Sequence, residues 1–172
     1  MLNHEAFESM LDQVIEAFTF KVGWLTGADR ATLFLLDETT GELWSKVARN
    51  GQRPLEIRIP ASSGLAGHVL QSGQILNVAD AYDEPLFNRS VDERTGYRTR
   101  SVLCVPILAR SNKPVGVIQL LNKREGTFTP ADEHQLTTFA ANFGILLESW
   151  AHMRQAARQN SPQTIEPMAV GS

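Results

Sequence analysis

The sequence is poor in cysteine and has no long apolar run, and these absences exclude two classes of protein. Cys104 is the only cysteine among 172 residues, so the chain cannot close an internal disulfide as small secreted domains do. No apolar run approaches the roughly 18–20 residues of a membrane-spanning helix. The N-terminal residues contain early acids in place of the basic start and apolar stretch of a signal peptide. We therefore expect a cytoplasmic domain with no membrane partner.

The sequence also lacks a large excess of charge of either sign and any metal-binding motif. With 16 Lys and Arg against 19 Asp and Glu, the formal net charge is −3, which argues against nucleic acid as a partner. The four histidines lie far apart and none has HExxH or CxxC spacing, so no metal site is predicted. Cys104 lies in an apolar run without a basic neighbour, which favours a buried structural thiol over a nucleophile.

Hydrophobic periodicity predicts an α+β domain. Apolar residues recur at helical spacing over 7–18 and again over 136–153, which predicts a helix near each end. Between them, apolar or alternating runs bounded by turn residues predict strands at 31–36, 43–49, 55–59, 75–78, 101–108 and 115–122. A short helix is expected over 62–73. This order predicts one mostly antiparallel sheet with the terminal helices on one face.

The last helix is expected to extend beyond the body of the domain. Thr129 is suited to the N-cap and Pro130 to the first helical position, and Asp132 follows three residues after the cap. A helix that runs to about Gln159 is roughly 45 Å long, whereas a domain of this size has a radius of gyration of roughly 15 Å. We assign 1–160 to the domain. Residues 161–172 contain two prolines and no periodicity, which predicts a disordered tail or linker.

Two segments are candidates for a ligand site. The polar segment 80–100, which we call the lid segment, has nine charged residues among 21, and such long connections are usually functional or disordered. Within it, Asp92, Thr95 and Thr99 are spaced so that one helical turn could direct all three to one place, although a solvated surface helix fits equally well. The start of the short helix, 63–67, has small residues and free amides that favour an anion. An ordinary capped helix has the same pattern.

The family resemblance rests on a signature near the C-terminal end and on several longer runs. The signature is Asn122-Lys123, Phe128 and Asp132-Glu133, and the runs are 57–61, 64–69, 73–77, 80–87 and 95–100. Over about residues 5–155 the chain resembles the GAF family, specifically the cyclic-nucleotide-binding GAF domains of phosphodiesterases and cyanobacterial-type adenylate cyclases. The resemblance implies a six-stranded antiparallel sheet, with the terminal helices on one face and a lidded cyclic-nucleotide pocket on the other.

The resemblance also implies roles for individual residues. The signature residues support the fold without touching ligand, through an ion pair that would join Lys123 to Asp132. The amides of Leu65 and Ala66 would receive the cyclic phosphate, and the three lid residues Asp92, Thr95 and Thr99 would contact purine and sugar. The remaining positions that match ligand contacts are Thr32, the pair Ala48-Arg49 against the purine, Asn88 and Gln119.

Departures from the family pattern bear on which base is bound. Ala48-Arg49 stands where some mammalian relatives have an aromatic-acidic pair, and Asn88 stands where they have an aromatic residue. Arg49 donates only, and acceptors on adenine or guanine would satisfy it equally. The chain lacks the acidic residue of that pair, and Gln119 stands where some relatives have a carboxylate. Both differences remove acceptors for the N1–H and the amino group of guanine. We therefore favour cAMP over cGMP.

The resemblance implies a regulatory sensor and not an enzyme, with cAMP or cGMP as ligand and no catalytic cofactor. Its terminal helices would pair in a homodimer and signal to an output domain such as a cyclase or phosphodiesterase. Alternatives are a GAF domain that binds another small ligand and one that only dimerises. A bilin chromophore needs a cysteine, usually beside a histidine, in the polar segment, and a sulfoxide-reducing GAF enzyme needs several cysteines, so both are disfavoured by the single Cys104.

Overall fold

The computed structural model describes residues 4–49 and 52–159, which form four α-helices, a short 3₁₀ turn and six strands. The helices are α1 (His4–Thr26), α2 (Gly64–Ser72), α3 (Ser90–Thr95) and α4 (Pro130–Gln159), and the 3₁₀ turn is Ala81–Asp83. The strands are β1 (Ala28–Asp37), β2 (Glu42–Arg49), β3 (Gln52–Pro60), β4 (Leu76–Val78), β5 (Val102–Leu108) and β6 (Pro114–Lys123). The turn predicted at Asn50-Gly51 and the tail predicted over 161–172 lie outside the described residues.

The six strands form one sheet in the order β3-β2-β1-β6-β5-β4, and every neighbouring pair is antiparallel. The predicted sheet and its strand number are therefore confirmed. The predicted first strand was too short: β1 begins at Ala28, three residues before the apolar run. Its start pairs with β6, from Ala28 opposite Lys123 onwards, so the ladder extends the strand through polar residues that periodicity does not mark.

Two apolar clusters cover the two faces of the sheet. Alternate residues of a strand point to opposite faces, and β5 shows this division: Leu103 and Val105 pack in the cluster with α1 and α4, whereas Val102 and Cys104 pack in the cluster with α2. The terminal helices therefore share one face, as predicted. The opposite face is covered by α2 and the lid segment, and the candidate site lies on that face.

Helix α4 begins as its sequence predicts. The Thr129 hydroxyl accepts a hydrogen bond from the Asp132 amide (3.2 Å), and the Asp132 carboxylate accepts one from the Thr129 amide (2.8 Å), a reciprocal cap. The helix has 30 residues, which corresponds to a length of about 45 Å. Its buried stripe ends with Leu147, and Ala151–Met153 are exposed, in agreement with the expected extension beyond the domain body.

Strand β1 has very different neighbours on its two sides. It pairs with β6 from Ala28 to Leu35, but it pairs with β2 only at Leu35, Leu36 and Asp37. Beyond Trp44, β2 pairs with β3 alone in the described part of the chain. Before Leu35, β1 therefore has no ladder pair with the described backbone of β2 on the side of the candidate site.

Candidate ligand site

A cavity of about 970 Å³ is bounded by β1, the start of α2 and the lid segment. Eight of the ten predicted ligand positions line it: Thr32, Leu65, Ala66, Asn88, Asp92, Thr95, Thr99 and Gln119. The side chains of the other two, Ala48 and Arg49, lie outside what the structure describes, although their backbone forms the end of β2. Residues from four separate parts of the chain thus meet at one cavity. Their assignment as ligand contacts stays a prediction.

The floor of the cavity comes from neighbouring strands of the sheet. Thr32 of β1 lies directly opposite Gln119 of β6, which in turn lies opposite Cys104 of β5. Thr32 and Gln119 are half-buried cavity residues and offer a hydroxyl and an amide, each able to donate and accept. Cys104 is fully buried, and burial raises the pKa of its thiol. A buried neutral thiol suits the structural role that the sequence predicts.

The start of α2 brings unpaired helical amides to the cavity. The first intrahelical bond described there runs from the Gly67 amide to the Ser63 carbonyl (3.2 Å), so the amides of Leu65 and Ala66 have no partner within the helix. Ser63 does not cap the helix with its side chain, because its hydroxyl donates to the Pro60 carbonyl (3.3 Å). Gly67 is required by packing, since a Cβ there would lie 2.8 Å from the Ala61 carbonyl oxygen.

The lid residues meet in a different way from the predicted one. Helix α3 ends at Thr95, and Gly96 follows with a φ of +72°, so Thr99 does not share a helical turn with Asp92. The chain instead returns, and Thr99 donates twice to the Asp92 carboxylate, from its amide (2.7 Å) and its hydroxyl (2.8 Å). Both residues are buried. The Thr95 hydroxyl donates to the Val91 carbonyl (2.8 Å).

Tyr82 is a central lid residue that neither periodicity nor the family signature marks. Its hydroxyl donates to Asp92 (3.0 Å), and its ring contacts the guanidinium groups of Arg98 and Arg89, which lie 3.7 and 4.7 Å from the ring centroid. Burial, together with the Asp92 carboxylate, raises the pKa of Tyr82. The available signal was that both tyrosines of the chain fall in the lid segment.

Asn122 anchors the far end of the lid segment to β6. Its side chain accepts from the Arg100 amide (2.6 Å) and donates to the Arg98 carbonyl (2.8 Å) and the Tyr97 hydroxyl (3.0 Å). Tyr97 donates in turn to Asp29 (2.8 Å), and burial raises its pKa to about 12. The far end of the lid segment is therefore held to β6 and β1 by side-chain hydrogen bonds.

The rest of the signature braces the same region. Lys123 and Asp132 form the expected ion pair between β6 and α4. Glu133 accepts from the Asn77 amide (2.9 Å), which also donates to the Phe128 carbonyl (3.0 Å). None of these five signature residues lines the cavity, in keeping with the supporting role that the resemblance implies.

Within 4–49 and 52–159, no three histidine, cysteine or carboxylate residues come together as a candidate metal site. In the same two ranges, no helix is both long and apolar enough to span a membrane.

A six-stranded antiparallel sheet with paired terminal helices on one face and a lidded cavity on the other defines a ligand-binding domain of the α+β class. The sequence of residues 10–147 matches the GAF domain family. The chain therefore belongs to the GAF domain family, a family of regulatory and sensor domains.

Known proteins agree with this assignment. The chain is 39% identical over 134 residues to the "probable 3',5'-cyclic phosphodiesterase pde-5" of Caenorhabditis elegans, a match that covers 72% of this chain and 18% of that protein. The chain thus spans under a fifth of that relative. The GAF domain of a phosphoenolpyruvate-protein phosphotransferase from Acinetobacter is 25% identical, with a TM-score of 0.67 over 86% of each chain. The corresponding domain from Coxiella burnetii, at 21% identity and a TM-score of 0.70 over the same shares, shows the common fold.

Proposed function

We propose that this chain is a sensor domain that binds a cyclic nucleotide, with cAMP preferred over cGMP, in the cavity under the lid segment. The observation that carries the proposal is the meeting of eight predicted ligand positions at one cavity of about 970 Å³. The likeness of this chain to part of a protein named as a probable 3',5'-cyclic phosphodiesterase supports the same ligand class. Binding would be relayed through dimerised terminal helices to an output domain such as a cyclase or phosphodiesterase.

The chemistry of the cavity suits a ligand with one phosphate and a polar base. The unpaired amides of Leu65 and Ala66 and the dipole of α2 would stabilise the cyclic phosphate without a basic side chain. Thr32 and Gln119 on the floor can both donate and accept, which matches the adjacent donor and acceptor on the pairing edge of adenine. The guanine edge presents two adjacent donors, N1–H and the amino group, to which a carboxylate would be better suited.

Titration calorimetry of nucleotide-free protein with cAMP, cGMP and AMP tests the proposal. We expect cAMP to bind more tightly than cGMP, and AMP, which lacks the cyclic phosphate, to bind weakly or not at all. At 100 times its dissociation constant, cAMP should raise the free energy of unfolding by about 2.7 kcal/mol. Failure of both cyclic nucleotides to bind would refute the proposal and leave another ligand or a dimerisation module as the function. Mass spectrometry of nucleotide extracted from the purified protein is an independent check.

Replacing Asp92 by alanine should weaken cAMP binding about tenfold. Its carboxylate accepts three hydrogen bonds, which fix Thr99 and Tyr82 beside the cavity, and a loss of ~1.4 kcal/mol of binding free energy corresponds to this factor. Glu93→Ala is the matched control, because Glu93 is an exposed acid on the same helix and does not line the cavity. Equal affinities of the two variants, measured by the same titration, would remove Asp92 from the site.

The surfaces of the terminal helices support the dimer. On α1, Phe20 is 75% exposed and Trp24 is 67% exposed, and Met10 lies on the same stripe. On α4, Ile145 and Met153 are exposed as well. Exposed apolar side chains that gather on one pair of elements mark an interaction surface.

A further inference from the structure

The sheet side of the cavity carries three polar side chains whose hydrogen-bonding groups are open. Thr32 of β1, Ser45 of β2 and Gln119 of β6 all line the cavity. In the described part of the chain, the side chains of these three residues form no hydrogen bond with protein atoms. Thr32 and Gln119 are predicted ligand positions, whereas neither periodicity nor the family resemblance marks Ser45.

Ser45 is the most deeply buried of the three. It is only 4% exposed, whereas Thr32 and Gln119 are half-buried. Alternate residues of a strand share a face, and Leu43, two residues earlier, packs in the cluster with α2. Ser45 therefore faces the candidate site. Since buried polar groups in folded proteins nearly always have a hydrogen-bond partner, an open buried hydroxyl at a cavity indicates that a ligand group supplies one.

The lid side of the cavity differs, because its buried polar groups bond one another. The Asp92 carboxylate accepts once from Tyr82 and twice from Thr99. Asp92, Thr99 and Ser45 are the described residues that are polar, buried and in the lining of the cavity, and of these only Ser45 has no such partner in 4–49 and 52–159. A ligand can thus add a hydrogen bond at Ser45 without breaking one.

The position of Ser45 along β2 indicates which part of a cyclic nucleotide it meets. At one end of the strand, Glu42 pairs with Pro60, where β3 ends and the chain turns towards α2 and the proposed phosphate site. At the other end lie Ala48 and Arg49, which are predicted to lie against the purine. Ser45 is three residues from Glu42 and three from Ala48, about 10 Å from each. It therefore lies between the phosphate end and the base end, at the level of the sugar.

We propose that the Ser45 hydroxyl binds the ribose 2′-hydroxyl of the nucleotide and so selects ribonucleotides over 2′-deoxyribonucleotides. In a 3′,5′-cyclic nucleotide the 3′ and 5′ oxygens are esterified, which leaves the 2′-hydroxyl as the one free hydroxyl of the sugar. The serine and ribose hydroxyls can each donate and accept, so either can be the donor. This inference rests on the proposed function, since it names a further ligand contact in the same site.

Titration of the wild type and Ser45→Ala with cAMP and 2′-deoxy-cAMP tests the contact. We expect the wild type to bind cAMP about fivefold more tightly than 2′-deoxy-cAMP, the factor that one neutral hydrogen bond supplies. In Ser45→Ala this preference should fall below about 1.5-fold, while the affinity for 2′-deoxy-cAMP stays within about twofold of the wild type. Ser111→Ala is the matched control, because Ser111 is an exposed serine that does not line the cavity, and it should keep the wild-type preference.

The outcomes separate this inference from the proposed function. If cAMP binds and Ser45→Ala keeps the fivefold preference, or the wild type shows none, the Ser45 contact alone is overturned. If neither cyclic nucleotide binds the wild type, the proposed function fails and the contact fails with it.

Urea unfolding without nucleotide checks that the Ser45 hydroxyl is open. Because it has no partner among the described protein groups, Ser45→Ala should leave the unfolding midpoint unchanged or raise it. A midpoint lowered by about 0.5 M urea or more, which corresponds to the loss of one hydrogen bond at a typical slope, would overturn the inference. That result would show that the hydroxyl already bonds within the protein.

Discussion

Asp132→Ala is expected to lower the free energy of unfolding by about 4 kcal/mol. The Asp132 carboxylate receives both the Lys123 ammonium and the Thr129 amide (2.8 Å), so one side chain joins β6 to the start of α4. Lys123 and Asp132 side chains are only 18% and 9% exposed. Removing one partner of a buried pair leaves the other charge uncompensated, which typically costs about 3–5 kcal/mol.

Urea unfolding at neutral pH measures this loss, and thermal unfolding should show a midpoint lowered by roughly 8–16 °C. Glu125→Ala is the control, because Glu125 is an exposed acid in the same connection between β6 and α4 and its removal should change stability by less than about 0.5 kcal/mol. The double variant Lys123→Met/Asp132→Leu should recover part of the loss, since no buried charge is then left unpaired. A single variant as stable as the control would show that the pair does not brace the fold.

The same pair makes stability depend on acid pH. Burial by itself would raise the pKa of Asp132, but its hydrogen bonds with Lys123 and Thr129 outweigh burial and hold the pKa below its usual value. In the unfolded chain the pKa of an aspartate is about 3.9. The contribution of the ion pair to the free energy of unfolding is therefore complete above about pH 5 and is lost as the pH falls through the folded-state pKa. The stability difference between the wild type and Asp132→Asn should therefore shrink below about pH 4. A difference that stays constant down to about pH 2 would contradict this linkage.

Asn122→Ala is expected to cost about 4 kcal/mol, of which about 3 comes from lost hydrogen bonds and about 1 from the backbone. Asn122 is buried, and its side chain makes three hydrogen bonds to the end of the lid segment, each worth about 1 kcal/mol. Its backbone also has a φ of +53°, which asparagine tolerates better than alanine. Loss of the anchor should loosen the segment around Tyr97 and weaken cAMP binding as well.

Asn112→Ala is the matched control for this variant. Within 4–49 and 52–159, the only two non-glycine residues with a positive φ are Asn112 and Asn122. Unlike Asn122, Asn112 is exposed, in the turn between β5 and β6. Asn112→Ala should therefore cost only the backbone part, about 1 kcal/mol. Asn122→Gly relieves that backbone strain but does not restore the hydrogen bonds. Its free energy of unfolding should therefore stay well below that of the wild type. Equal losses in Asn112→Ala and Asn122→Ala, measured by urea unfolding, would show that the lid anchor adds no stability.

Much of the fold was predictable because its signals are local or periodic. The cap of α4 needs only Thr129 and Asp132 three residues apart, and it forms as predicted. The succession of strands along the chain follows from turn residues and apolar runs, whereas the extra length of β1 does not, because pairing with β6 adds residues that are polar.

The candidate site was predictable from the family resemblance more than from geometry. Asp92 and Thr99 do meet, but the spacing argument behind that expectation was wrong, since α3 ends before Thr99. The role of Tyr82 was not predictable because its importance comes from Arg89 and Arg98, which fold against its ring from positions seven and sixteen residues later. No periodicity marks such a contact.

The sequence by itself determined the order of helices and strands, the buried single thiol and the family, because these depend on residue type and short-range spacing. Only the tertiary structure decided what each polar side chain does. It turns the carboxylate of Asp92 towards Tyr82 and Thr99, gives Asn122 the anchoring of the lid segment and leaves β1 before Leu35 without a ladder pair to the described backbone of β2. These outcomes depend on which distant groups compete for the same hydrogen bonds, and that competition is settled only when the chain is packed.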